Sequence, residues 1–155
     1  MQTFLEVQGV SKTFRPDKEV EVIALRDINL QINEGDFVVL SGPSGSGKTT
    51  LLNIIGCLDA ATQGQVFLTG QQLTGLPEKQ LSTIRRDQIG FIFQAYNLIP
   101  VLTAKENMEY VMKLQGRSQQ ECDARIMEVA CKLGIEELLS KLPNQLSGGQ
   151  QQRVA

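Results

Sequence analysis

Histidine and tryptophan are both absent from the 155 residues. Without an imidazole, these residues can supply no histidine general base, no histidine-ligated metal and no protonation switch near neutral pH. Cysteine is sparse: Cys57, Cys122 and Cys131 are an odd number at no metal-like spacing. They read as small buried hydrophobes of a protein kept in a reducing cytosol. Neither sign of charge dominates, with 15 Lys+Arg against 17 Asp+Glu and a formal net charge of −2. That balance lacks the broad positive field on which phosphate-backbone binding depends, so no nucleic-acid partner is expected. Long apolar runs are missing too. Phe37 to Leu40 and Leu51 to Leu58 are the strongest, far short of the ~18 residues that span a bilayer, so any link to a membrane has to come through a partner. No internal repeat, low-complexity tract or heptad pattern occurs. What is present is ordinary for one compact soluble domain: 41% apolar and 21% charged residues in a chain long enough to bury a real core.

The hydrophobic periodicity changes along the chain. Leu5, Val7 and Val10, and then Ile28, Leu30 and Ile32 alternating with Asp27, Asn29 and Gln31, predict half-buried strands of an antiparallel sheet. Glu19 to Leu25 predicts a further strand. After the turn cluster Asn33-Glu34-Gly35-Asp36, the run Phe37-Val38-Val39-Leu40 is apolar on both faces, the pattern of a strand covered on both sides in a parallel sheet. Leu51, Leu52, Ile54 and Ile55 recur at helical spacing from Lys48 on, and Gly56 is placed to end that helix. Val66 to Thr69 reads as a short strand, Glu78 to Arg86 as a polar helix, and Ile89 to Phe93 as a second buried strand. Beyond it the pattern is helical. Thr103 with Glu106, and Ser118 with Glu121, fit the S/T-x-x-E box in which two side chains satisfy orphaned backbone donors, and Gly134 closes the helix begun at Ser118.

Two glycine-rich segments carry chemistry. Gly42-Pro43-Ser44-Gly45-Ser46-Gly47-Lys48-Thr49 fits G-x-x-x-x-G-K-[ST] between an expected strand and an expected helix. The glycines allow a turn tight enough for successive N–H groups to point at a phosphate, while the following helix presents its positive end to the same spot. Lys48 would neutralise terminal phosphates, the Thr49 hydroxyl would coordinate Mg²⁺, and Thr50 would add a phosphate hydrogen bond. The second segment, Leu146-Ser147-Gly148-Gly149-Gln150, lies with Ser147 99 residues beyond Lys48. Ser147 is a natural N-cap, and Gly148 and Gly149 leave backbone amides bare for an anion's approach.

With these motifs in hand the sequence resembles the ATP-binding subunits of ABC transporters from about residue 2 to residue 155. The pentapeptide Leu146 to Gln150 resembles that family's signature motif. Leu52 to Asp59, Asn97 to Pro100 with Leu102-Thr103-Ala104, and Pro143-Asn144-Gln145 are similar to the lipoprotein-releasing and macrolide-export group. The resemblance implies an α/β fold: a P-loop NTPase core with an antiparallel β subdomain over 1–94, a helical subdomain over 95–143, and the signature motif with the start of its helix over 144–155. It places Gln94 as the glutamine that reaches Mg²⁺ and the attacking water. Phe14 falls where the family stacks an aromatic on adenine, an ordinary packing role being the alternative. Ala95 to Leu102 would lie near the docking groove for a transmembrane permease subunit, or simply pack the helical subdomain.

The resemblance further implies that ATP with Mg²⁺ is held between two copies joined head to tail as an ATP-dependent homodimer. There Ser147, Gly148, Gly149 and Gln150 of one copy face the γ-phosphate bound by Lys48 of the other, on the cytoplasmic face of the membrane. Family members continue past the signature helix into a strand ending in Asp-Glu and then to a histidine. Neither is in these 155 residues, so the expectation is a C-terminally incomplete cassette with an apolar edge unpaired at Phe37 to Leu40, prone to weak folding and deficient in hydrolysis. Asp36 and Asp59 lie at the ends of their elements away from the loop, and no general base is nominated. Three readings follow: a transport motor, a soluble ABC ATPase of DNA repair or translation, and a non-catalytic nucleotide-binding fragment. The spacing between the motifs, free of heptads, disfavours the coiled-coil form of the second.

Overall fold

The structure, a computed structural model, describes residues 3–17 and 20–155. It divides into two compact units, Met1–Arg85 and Arg86–Ala155. Glu19, with which one expected strand opens, lies outside the described residues.

In the first unit, β1 (Thr3–Asp17), β2 (Val20–Asn33), β3 (Gln63–Leu68) and β4 (Gln71–Gln72) form one antiparallel sheet in the order β2-β1-β3-β4. The two strands expected over Glu19 to Leu25 and around Ile28 to Ile32 are a single strand, β2. Its partner β1 keeps Leu5, Val7 and Val10 on the buried face although Val10 breaks the two-residue alternation. The register explains why: Val7 pairs with Leu30 and Val10 with Ile28, so β1 carries an extra residue there, a β-bulge that returns Val10 to the core. The Gly9 amide leaves the ladder and donates to Asn29 Oδ1 at 2.8 Å. A compensating irregularity on β2 sits at Asp27, at φ +49°, whose amide donates to Ser11 Oγ at 3.0 Å.

Helix α1 (Lys48–Ile55) turns Leu51 and Ile54 inward. Gly56 does cap it, but at an ordinary φ of −78°; the left-handed turn that follows falls on Cys57, at φ +60°. Burial pushes the Cys57 thiol up from its usual range. The expected polar helix is α2 (Glu78–Gln88), whose buried residue is Ile84. Arg85 on it donates to the Cys57 carbonyl at 2.6 Å and pairs with Glu78.

Two sequence expectations fail here. Phe37 to Leu40 and Ile89 to Phe93 belong to no ladder among the described residues. Phe37 is 92% and Val39 71% exposed, the opposite of a strand covered on both faces. A strand exists only with a hydrogen-bonded neighbour, and the four-stranded sheet pairs within itself. The cysteine reading also needs amending, since Cys57 and Cys122 are buried but Cys131 is exposed.

The second unit is helical. Helices α3 (Ala104–Leu114) and α4 (Gln119–Leu133) both open on the expected capping boxes, Thr103 with Glu106 and Ser118 with Glu121. Gly134 ends α4 in the left-handed conformation at φ +62°. Two 3₁₀ turns, Glu136–Leu138 and Pro143–Gln145, lead to α5 (Gly148–Val154). Ala104, Ala130, Ile135, Leu138, Leu146 and Val154 form the core these elements share.

Candidate functional site

The segment Gly42 to Thr49 is a loop that delivers its chain into α1. Gly42, Gly45 and Gly47 stand at φ +152°, +81° and +87°, the region in which a side chain is strained. Gly47 is doubly constrained: a Cβ there would lie 2.5 Å from the Ala24 carbonyl oxygen and 2.8 Å from Leu25 Cδ2. The loop's last turn is therefore wedged on β2. Gly47 is also the N-cap of α1, with no side-chain cap and no acidic residue in the first turn. The Ser46 amide donates to the Pro43 carbonyl at 3.3 Å, whereas the amides of Gly45, Gly47, Lys48 and Thr49 have no acceptor among the described residues. Lys48 Nζ folds back across the loop, donating to the carbonyls of Gly42 (2.8 Å) and Pro43 (2.7 Å) and to Ser46 Oγ (3.2 Å). A cluster of unsatisfied donors at a positive helix end, with an ammonium group at its mouth, is a site for a polyanion.

Phe14 pairs across the sheet with Val22, two residues along β2 from Ala24. At ~3.3 Å per strand residue, this puts the aromatic about 7 Å along the strand from the point where Gly47 is wedged. Phe14 is 41% exposed. Lys12 Nζ lies 4.8 Å from the ring centroid.

In the second unit, Gln94 occupies an exposed turn rather than a strand end, followed by Tyr96 and Asn97 at φ +59° and +51°. The segment Leu146 to Gln150 is more ordered than expected. Leu146 is buried in the helical core, and α5 opens at Gly148, directly after its N-cap Ser147. Ser147 Oγ accepts from the Gln150 amide at 3.3 Å, and Gln150 Oε1 accepts from the Ser147 amide at 2.9 Å, a third capping box. The Gln150 side-chain oxygen is thus engaged within its own loop, while the Ser147 hydroxyl proton stays free to donate. The amides of Gly148 and Gly149 have no acceptor among the described residues.

The family model for ABC transporters matches residues 25–155. The chain belongs to the ABC transporter family. It is 48% identical to the ABC transporter ATP-binding protein MJ0796 of Methanocaldococcus jannaschii, over 97% of this chain and 66% of that protein. It is 45% identical to the macrolide export ATP-binding/permease protein MacB of Marinobacter nauticus, over 97% of this chain and 23% of that protein. The chain thus spans just under two thirds of the first relative and about a quarter of the second. A dimeric structure of the MJ0796 cassette superimposes with a TM-score of 0.90 at 46% identity, covering 97% of this chain and 66% of that one. A post-hydrolysis structure of the same cassette, bound to ADP and Pi, superimposes equally well at 45% identity and the same coverage. The fold is therefore the α/β fold of an ABC ATPase cassette.

For this ABC chain, the chemistry of the donor set suits Mg²⁺ in the first unit, where Thr49 presents an exposed hydroxyl, a hard oxygen of the kind that ion takes. Among the described residues no three His, Cys, Asp or Glu side chains gather as a metal cage, so the ion would depend on phosphate oxygens for most of its shell.

Sequence reasoning missed three residues. Lys12 is one; its position two residues before Phe14, on the same strand face, was the available signal. Gln151 is another. Its side-chain amide donates to the Pro143 (3.0 Å) and Leu146 (3.1 Å) carbonyls, pinning the signature segment to the turn before it. Asn107 is the third. It donates to the carbonyls of Ile99, Leu102 and Thr103 and accepts from the Ile99 amide, holding the loop before α3. Neither amide stands out in the sequence, because each acts on carbonyls that any residue could supply.

Proposed function

We propose that this chain is the nucleotide-driven motor part of an ABC transporter, binding ATP at the Gly42–Thr49 loop and, in the complete protein, hydrolysing it. The observation that carries the reading is the loop itself: bare amides at Gly45, Gly47, Lys48 and Thr49, a helix start with no cap of its own, and the Lys48 ammonium folded over both. On binding, Lys48 would exchange the Gly42 and Pro43 carbonyls for phosphate oxygens, the amides would take up the β-phosphate region, and Thr50 would add a hydrogen bond. Phe14 would stack on the adenine. Mg²⁺, when bound, supplies charge neutralisation across the terminal phosphates; Thr49 and Gln94 are the residues that would hold it, and Gln94 would also orient the attacking water.

Ser147, Gly148 and Gly149 would meet the γ-phosphate of a second copy, with the Ser147 hydroxyl donating while its oxygen still caps α5. The Gln150 side chain, engaged in that cap, would act mainly by fixing the turn. Support for two copies comes from the dimeric form in which the MJ0796 cassette has been solved. Support for coupling to a permease comes from MacB, whose name joins an ATP-binding part and a permease in one protein; the cytoplasmic face of the membrane is where such a motor would work. No helix among the described residues is long and apolar enough to cross a membrane. The same relative favours transport over a role in DNA repair or translation.

Lys48→Ala in the full chain is expected to weaken ATP binding roughly ten- to hundredfold, the worth of a charge-assisted contact, and to abolish turnover; retained turnover contradicts the assignment. Ser147→Asp keeps a good N-cap but turns a carboxylate toward the phosphates. It should leave ATP binding by a single copy intact and eliminate the ATP-dependent dimer in sedimentation, and a persistent dimer would count against the shared site.

A further inference from the structure

Lys12 makes three contacts at once, all within the first unit. Its Nζ lies 2.6 Å from Asp59 Oδ1, donates to the Ala60 carbonyl at 2.7 Å, and sits 4.8 Å from the centre of the Phe14 ring. The side chain is only 12% exposed, far less than most surface lysines, so its ammonium is held rather than waving. Asp59 is itself fixed, accepting from the Ala60 amide at 2.7 Å. The loop that carries it is stitched to β1 on either side of Lys12: the Thr62 amide donates to the Ser11 carbonyl at 2.9 Å, and the Thr13 amide donates to Thr62 Oγ1 at 3.1 Å. That loop is the exit of α1, whose entrance is the phosphate loop. A cation is thereby anchored to the far end of the phosphate-binding helix and set over one face of an aromatic residue that is 41% exposed.

We infer that Lys12 is a positioning residue for the nucleobase, bracing Phe14 through a cation–π contact and tying that platform to α1 by its Asp59 and Ala60 contacts. This rests on the stacking role proposed for Phe14. The physical effect is twofold. A phenylalanine has no hydroxyl to fix its ring, and the ammonium restricts the ring's rotamers, so less freedom is lost when a base stacks. The cation also draws π-density toward itself, which suits the opposite face to an electron-rich purine.

The test is the difference between a ligand with a base and one without. ATP and inorganic tripolyphosphate are titrated calorimetrically into the full chain and into Lys12→Met, Lys12→Arg and Phe14→Ala. Lys12→Met should weaken ATP binding about two- to fivefold, the range of a partly exposed cation–π contact, and leave tripolyphosphate unchanged. Lys12→Arg, whose guanidinium also stacks on rings, should restore the ATP value. Equal weakening of both ligands by Lys12→Met would make Lys12 a scaffold of the phosphate loop and overturn the inference. A base-dependent loss in Phe14→Ala that is missing in Lys12→Met would overturn the brace alone. No base-dependent loss in Phe14→Ala would remove the platform, and the brace with it.

Discussion

Gly45 and Gly47 share a left-handed backbone, yet they stand in different surroundings. A Cβ on Gly45 meets nothing within 4 Å, whereas one on Gly47 runs into the Ala24 carbonyl at 2.5 Å. Gly45→Ala should therefore cost only the left-handed strain of about 1–2 kcal/mol. Gly47→Ala adds a backbone collision that no rotamer relieves, so it must lift the loop from β2. Denaturant melts are expected to show the larger loss of stability for Gly47→Ala, and ATP titration a larger loss of affinity. Equal effects of the two would mean that the wedge on β2 does not hold the loop. The spacing of the motif is enough to nominate Lys48 and Thr49 as candidate phosphate and metal ligands. The wedge is not legible in the same way, because Ala24 lies far from Gly47 in sequence and no residue type announces the contact. Lys12 is hidden for a related reason: a lysine on a strand reads as a solvated charge until its partner on another element is known.

Among the elements, those with local signals form where expected. The boxes at Thr103 and Ser118 open α3 and α4 because both partners lie within one turn, so local chemistry settles them. The same reciprocity leaves a mark on titration. Hydrogen bonds from the Thr103 and Ser118 backbone amides, then from their hydroxyls, hold the Glu106 and Glu121 carboxyls below the ordinary 4.5. On α4, hydrogen bonds from Lys132 and Arg125 bring Glu128 down to about 2. A carboxyl whose folded pKa is depressed stabilises the fold above its unfolded value and loses that contribution as pH falls through the folded one. Helical circular dichroism should therefore decline on acidification from about pH 4.5 toward 2. Glutamine can fill the third position of the box without titrating, so replacing all three glutamates by glutamine should flatten that limb; an unchanged acid profile would place its origin in other carboxyls. The runs Phe37 to Leu40 and Ile89 to Phe93 mark the opposite case. Composition identifies them as apolar and extended, but a strand is a relation between two segments, and no partner for either appears among the described residues.

At the scale of the whole molecule, those two runs decide how the chain behaves in solution. Phe37, Val39 and Ile92 are 92%, 71% and 75% exposed, in segments with high β-propensity and unpaired backbone, the arrangement that recruits another chain to complete a ladder. Native edges are usually guarded by charge, and neither run carries any within it. A formal net charge of −2 adds little repulsion between molecules, since proteins of small net charge associate more readily. The 155-residue chain is therefore expected to self-associate, with a weight-average mass in light scattering that rises with concentration and with strong binding of a hydrophobic dye. Val39→Lys together with Ile92→Lys places a charge in each run at an exposed position without touching Gly42–Thr49 or Leu146–Gln150. It should lower both signals while leaving ATP affinity within twofold, about 0.4 kcal/mol. A constant monomer mass in the unsubstituted chain, with no dye binding, would show that these segments find cover within the molecule and that their exposure is not what governs its solution state.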